Sequence, residues 1–154
     1  MKLIPLKQWI CDKCGETIEK PEDGWLEWLQ KPHEGPHGYK IVHHSKSRGS
    51  SCYHYEQHPE RSDMHLNSFL GSDGMVPFIS ALDVGPYHSP KFNNPPLKDM
   101  RNFVETLRRL HLPYYEEARL YWRQAKEDGF FDGANEYSLY MQTTLKEIIN
   151  KYGP

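Results

Sequence analysis

WICDKCG, residues 9–15, places two thiols on one tight turn, and the reading of the whole chain turns on what completes the pair. A C-x-x-C turn supplies two ligands to a tetrahedral metal. Its backbone amides point at the thiolates and offset their charge, and a glycine after the second cysteine lets the chain reverse. Cys11, Cys14 and Gly15 meet that description. The remaining donors must come from a second segment, where the sequence offers His43, His44 and Cys52, with His54 and His58 beyond.

The intervening residues predict how the two segments meet. Residues 21–24 (PEDG) read as a turn, residues 25–29 (WLEWL) as a strand rich in β-formers, 31–38 as a Pro/Gly loop and 39–44 (YKIVHH) as a returning strand. This is a small antiparallel sheet beside the knuckle. His43 and His44 point to opposite faces of such a strand, so one of them is a ligand and not both. Cys52 is preferred over His54 or His58 as the fourth donor, because thiolate binds zinc well and residues 45–51 (SKSRGSS) leave it free to turn inward. The expected site is Cys11, Cys14, one of His43 and His44, and Cys52, holding a structural zinc.

On CDKCG, the strands after it and the distal His/Cys pair, residues 9–58 resemble a zinc ribbon or treble-clef finger. The distal pair departs from the usual C-x-x-C or H-x-x-C of those fingers, since seven or eight residues separate its His from Cys52. The resemblance implies a structural metal and a binding-module role, and it names no substrate.

Beyond the finger the pattern turns helical. Ser62 or Asp63 is placed to cap a short helix carrying Met64, Leu66, Phe69 and Leu70, stopped by Gly71. Ser72 or Asp73 is placed to cap another through Leu82, stopped by Gly85. Residues 85–98 hold four prolines and read as a surface linker. Leu97, Met100, Phe103, Val104, Leu107 and Leu110 recur at helical spacing. Pro113 fits the first position of a second helix reaching about Lys126 and ended by Asp128-Gly129. A third runs from about Glu136 to Tyr152, with Tyr137, Tyr140, Met141, Leu145 and Ile148 on one stripe. The expected fold class is α+β: a zinc-stabilised antiparallel module over 1–60, short helices and a connector over 61–96, and three helices over 97–154 packed on the rest.

Charge narrows the function. The formal net charge is -2; residues 1–90 hold 9 Lys/Arg against 12 Asp/Glu, and residues 91–154 hold 10 against 9. Neither half is a platform for a polyanion, so nucleic acid is disfavoured as a partner. Arg101, Arg108, Arg109, Arg119 and Arg123 form the one basic cluster and read as a solvated helix face. No apolar run approaches the ~18 residues of a membrane span, and the polar flanks of the first residues are unlike an export signal. The expected compartment is therefore cytoplasmic, where C-x-x-C favours metal or redox work over a structural disulfide.

Several catalytic readings stand beside the structural one. A thioredoxin-like use of Cys11 and Cys14 needs a helix beginning at the first cysteine, and Gly15 with strand-forming residues after it argues against that. His54-Tyr-Glu-Gln-His58 has its Glu in the wrong place for a metalloprotease helix, and Pro59 would end the helix there. A ββα-metal nuclease would use His43 or His44 as general base, with Asp63, His65 or Asn67 as metal or phosphate partners. Trp25, Trp28, Tyr53 and Tyr55 suggest a base-stacking platform, although alternation puts the two tryptophans on opposite faces and so at least one in the core. The expectation is a non-catalytic zinc-binding interaction or adaptor protein whose partner is another protein. The runner-up is the metal-dependent nuclease or hydrolase, followed by a nucleic-acid-binding regulator.

Overall fold

The computed structural model of the 154-residue chain describes residues 1–44, 52–83, 85 and 97–154. Among the described residues, five strands and five α-helices, joined by short 3₁₀ turns, make an α+β fold. β1 (Trp9–Ile10) and β2 (Thr17–Ile18) form a minimal hairpin with the C-x-x-C turn at its tip. β3 (Gly24–Leu29), β4 (His37–His43) and β5 (Arg61–His65) form a second antiparallel sheet in the order β4-β3-β5. The hairpin docks on β4 through its own turn. The Asp12 amide donates to the Ile41 carbonyl at 2.8 Å, and the Ile41 amide donates to the Asp12 carboxylate at 2.8 Å.

β5 replaces the helix expected at Ser62/Asp63. Residues 61–65 pair with residues 25–29 of β3, from Leu29↔Arg61 to Trp25↔His65. Pairing satisfies the backbone of both strands at once, which a two-turn helix with its unpaired ends does not. Only Leu66–Phe69 then coils, as a 3₁₀ turn that buries Leu66 and Phe69. The expected caps Ser72 and Asp73 also give way: α1 (Val76–Leu82) begins at the Pro-containing turn after Met75 and ends at Asp83, ahead of Gly85. Most of the linker expected over 85–98, residues 86–96, lies outside the described residues.

α2 (Met100–His111) is the amphipathic helix anticipated from 97, with Asp99 as its cap: the carboxylate accepts from the Asn102 amide at 2.9 Å. The second expected helix is broken. Tyr114, not Pro113, stands at its start with a left-handed backbone (φ 72), and α3 (Tyr115–Ala118) and α4 (Trp122–Glu127) are separated by a 3₁₀ turn. Gly129 (φ 70) ends it as expected. α5 (Gln142–Tyr152) starts six residues later than Glu136, after a 3₁₀ turn at Ser138–Tyr140. Leu145 and Ile148 are fully buried, whereas Tyr137 and Met141 are 72% and 51% exposed and lie off the apolar stripe.

The core has two parts. One joins the strands to α1 and α2 through Trp9, Leu26, Ile41, Phe69, Phe78, Phe103 and Leu110. The other joins α3, α4 and α5 through Tyr115, Ala118, Ala125, Leu145 and Ile148. As alternation predicts, Trp28 packs on Tyr39 and Phe69 of the first core while Trp25 stacks with both His44 and His65, which also stack on each other. No helix among the described residues is long and apolar enough to cross a membrane.

Candidate metal centre

Cys11 and Cys14 sit in the turn between β1 and β2. The Cys11 amide donates to the Glu16 carbonyl and the Gly15 amide to the Cys11 carbonyl, each at 2.9 Å. Gly15 has φ 75 with open space around its Cα, so glycine is needed here for the backbone angle and not for room. A β-strand follows the turn. A thioredoxin-type thiol pair would stand at the start of a helix, which is absent from this hairpin.

His43 ends β4 opposite Gly24 and is 5% exposed. Its Nδ1 lies 3.5 Å from Cys14 Sγ, and its Nε2 lies 3.2 Å from the Thr17 carbonyl oxygen. A proton on Nε2 donates to that carbonyl and leaves the Nδ1 lone pair facing the thiols. Metal-bound histidines are commonly oriented by such a backbone acceptor. Cys52 comes from the segment after β4 and is buried. The four donor atoms of Cys11, Cys14, His43 and Cys52 all lie within 4.8 Å of one another, and all but Cys14 belong to buried residues.

This group can hold a metal ion. All three cysteines are free thiols. Burial first, and then the neighbouring Cys11 and Cys14, together push the Cys52 thiol up to about 11. Three crowded sulfurs are costly to ionise together, and a divalent cation among them removes that cost by neutralising the charge.

Of the histidines named from the sequence, only His43 joins the group. His44 is turned to the other face, stacked on Trp25 (ring centroids 4.7 Å) and on His65 (5.3 Å). His54 and His58 lie on the exposed loop that follows Cys52. Of the remaining nuclease candidates, His65 stays beside His44, whereas Asp63 pairs with Arg61 at 3.2 Å and the Asn67 side-chain amide donates to Glu22 at 3.4 Å.

Three supporting residues escaped the sequence reading. Asp12 was visible only as an x of C-x-x-C, yet it fastens the knuckle to β4. Arg109 is 6% exposed and belongs to no solvated face. Its Nη1 donates to both Asp12 carboxylate oxygens at 2.8 Å, and its Nε and Nη2 grip Glu116 at 2.8 and 2.9 Å. Glu27, central in β3, is fully buried and accepts from the His54 and Tyr55 amides. Its one sequence signal was a carboxylate between apolar neighbours in WLEWL, and that pattern ordinarily reads as a solvent-facing position.

Comparisons with protein-family models, with curated proteins and with solved structures found no match to this chain.

Proposed function

We propose that the chain is a zinc-binding protein in which Cys11, Cys14, His43 and Cys52 hold a structural ion, and that it serves as a non-catalytic interaction or adaptor protein. The observation that carries this reading is the donor set: three thiols and one imidazole converge within 4.8 Å, on a hairpin, a strand end and a third segment. Soft and borderline donors of this kind suit zinc over calcium or magnesium. Four protein ligands fill a tetrahedron and leave no position for a reacting water, which is the arrangement of structural zinc sites. The strands of the hairpin are two residues each, and the ion would add to the Asp12–Ile41 bonds that hold it on β4 and would tie in the Cys52 segment. The same features support the likeness to a zinc ribbon or treble-clef finger.

A protein is favoured as the partner. The net charge of -2 works against a polyanion. On α1, Val76, Ile79 and Leu82 are 56%, 55% and 50% exposed, the kind of apolar surface that a protein contact covers.

Elemental analysis of protein purified without chelator or added metal tests the centre directly. About one zinc per chain is expected, as four ligands per ion imply, together with a lower melting temperature after chelation. Protein free of metal that melts identically with and without chelator would overturn the reading.

A further inference from the structure

Glu27 is an expensive residue for the middle of a sheet. It is fully buried on the central strand, opposite Lys40 on one side and Asp63 on the other. A buried carboxylate is tolerated when its oxygens are hydrogen-bonded, and the bonds it makes show what it holds. Oε1 accepts from the His54 amide, and Oε2 accepts from the Tyr55 amide at 3.4 Å. Those amides lie two and three residues beyond Cys52, about 7 Å of extended chain from it at the nearer one.

Other contacts fasten the same short arm. The Tyr55 hydroxyl donates to the Gly38 carbonyl at 2.8 Å, where a side chain on Gly38 would collide with that hydroxyl. Arg61 lies 4.1 Å over the Tyr53 ring, and Tyr53 meets Trp25 edge-on. On the other side of Cys52, residues 45–51 (SKSRGSS) include no apolar residue type.

We propose that Glu27 is the positioning residue of the metal centre: by capping the His54 and Tyr55 amides it fixes the arm that delivers Cys52 as the fourth ligand. The inference rests on the zinc reading of the cluster and adds a residue that touches no donor atom. A carboxylate suits the task because it only accepts, and both of its oxygens face amide donors. Glutamine offers one acceptor and turns an NH₂ toward the second amide, so it cannot hold both.

Cobalt(II), bound in place of zinc to the full-length chain under reducing conditions, reads this directly. The near-ultraviolet thiolate-to-cobalt band scales with the number of sulfurs bound. Wild type is expected to show three thiolates and Cys52→Ala two. Glu27→Gln is expected to fall toward the Cys52→Ala intensity and to bind zinc about 10- to 100-fold more weakly in competition with a chelator, as when an orienting outer partner is lost. Ile148→Ala, which destabilises the distant second core, should keep the three-thiolate band, so a general loss of stability does not mimic the effect. Glu27→Asp, which keeps the charge but shortens the reach, carries the same test if the glutamine variant does not fold, and should also lose band intensity. A full three-thiolate band and wild-type zinc affinity in the folded Glu27 variant would overturn the positioning role. A wild-type protein with no tetrahedral cobalt spectrum would instead overturn the metal reading beneath it.

Discussion

Asp12 and Arg109, 97 residues apart, meet through two 2.8 Å hydrogen bonds from one guanidinium nitrogen to both carboxylate oxygens. Asp12 lies between the two cysteines of the knuckle, and Arg109 lies near the end of α2. The same guanidinium bonds the Ile10 carbonyl at 2.9 Å and both oxygens of Glu116, which Arg119 also grips. The indole of Trp9 closes the joint by donating to the Arg109 carbonyl at 3.0 Å. Through these contacts the thiol-bearing turn is held against the helical half independently of any metal.

Removing one member of this group strands the others. Arg109→Met should destabilise the protein by about 3–5 kcal/mol, since Glu116 and Asp12 would keep buried charge without their main partner. Arg123→Met is the contrasting case. Its pair with Glu127 is fully solvated on the Arg123 side (91% exposed) and should matter little. Urea denaturation of both variants checks the difference, and similar losses would show that the buried network is not what joins the halves.

Acid should weaken the same joint. Burial alone would push the Glu116 carboxyl up, but Arg109 and then Arg119 outweigh it and hold the group below its ordinary 4.5. A carboxyl with a depressed folded value contributes stability that is complete above 4.5 and is lost as pH falls through the lower folded value. The gap in denaturant midpoint between wild type and Glu116→Gln should therefore be wide at neutral pH and narrow well below pH 4.5. Comparing the two proteins at each pH cancels the acid release of metal, which both share. A gap that stays constant would contradict the assignment.

At the metal centre, Cys14→Ser and His58→Ala should part company. Cys14 is a member of the donor group, while His58 stands on the exposed loop, where its Nδ1 accepts from the Glu60 amide and its ring meets Tyr55 edge-on. Loss of a ligand forfeits metal binding that is itself folding free energy. A cost of about 2 kcal/mol would lower the melting temperature by roughly 4–8 °C in a chain of this size. His58→Ala should melt as wild type does, and equal shifts in the two variants would place the ion elsewhere.

His44 separates the interaction protein from the nuclease. It stacks on Trp25 and His65 outside the donor group, which is where a nuclease would keep a general base. His44→Ala should retain zinc. Neither it nor the wild type is expected to cleave plasmid or single-stranded DNA with magnesium, manganese or zinc. Metal-dependent cleavage by wild type that disappears in folded His44→Ala would replace the adaptor reading with the enzymatic one.

Local patterns were enough to place the knuckle, β3, β4 and α2. A C-x-x-C-G turn, an alternating WLEWL and a 3.6-residue apolar stripe each specify backbone geometry within a few residues, and helix or strand follows from that geometry. They also narrowed the donors to five residues, because ligand chemistry is written in residue type. The choice of His43 over His44 was different. Two adjacent strand residues differ only in which face they occupy, and that face became known when the hairpin packed on one side of β4. Residues 61–65 became a strand because β3 had a second edge to pair. Tyr114 broke the helix expected from Pro113, which left Glu116 and Glu117 facing inward. Arg109 read as a solvated charge, and Asp12 and Glu27 drew no reading of their own, because charge alone does not reveal a partner distant in sequence. Their burial is tolerable only where the fold supplies opposite charge or amide donors within hydrogen-bond reach, and long-range packing alone decides that.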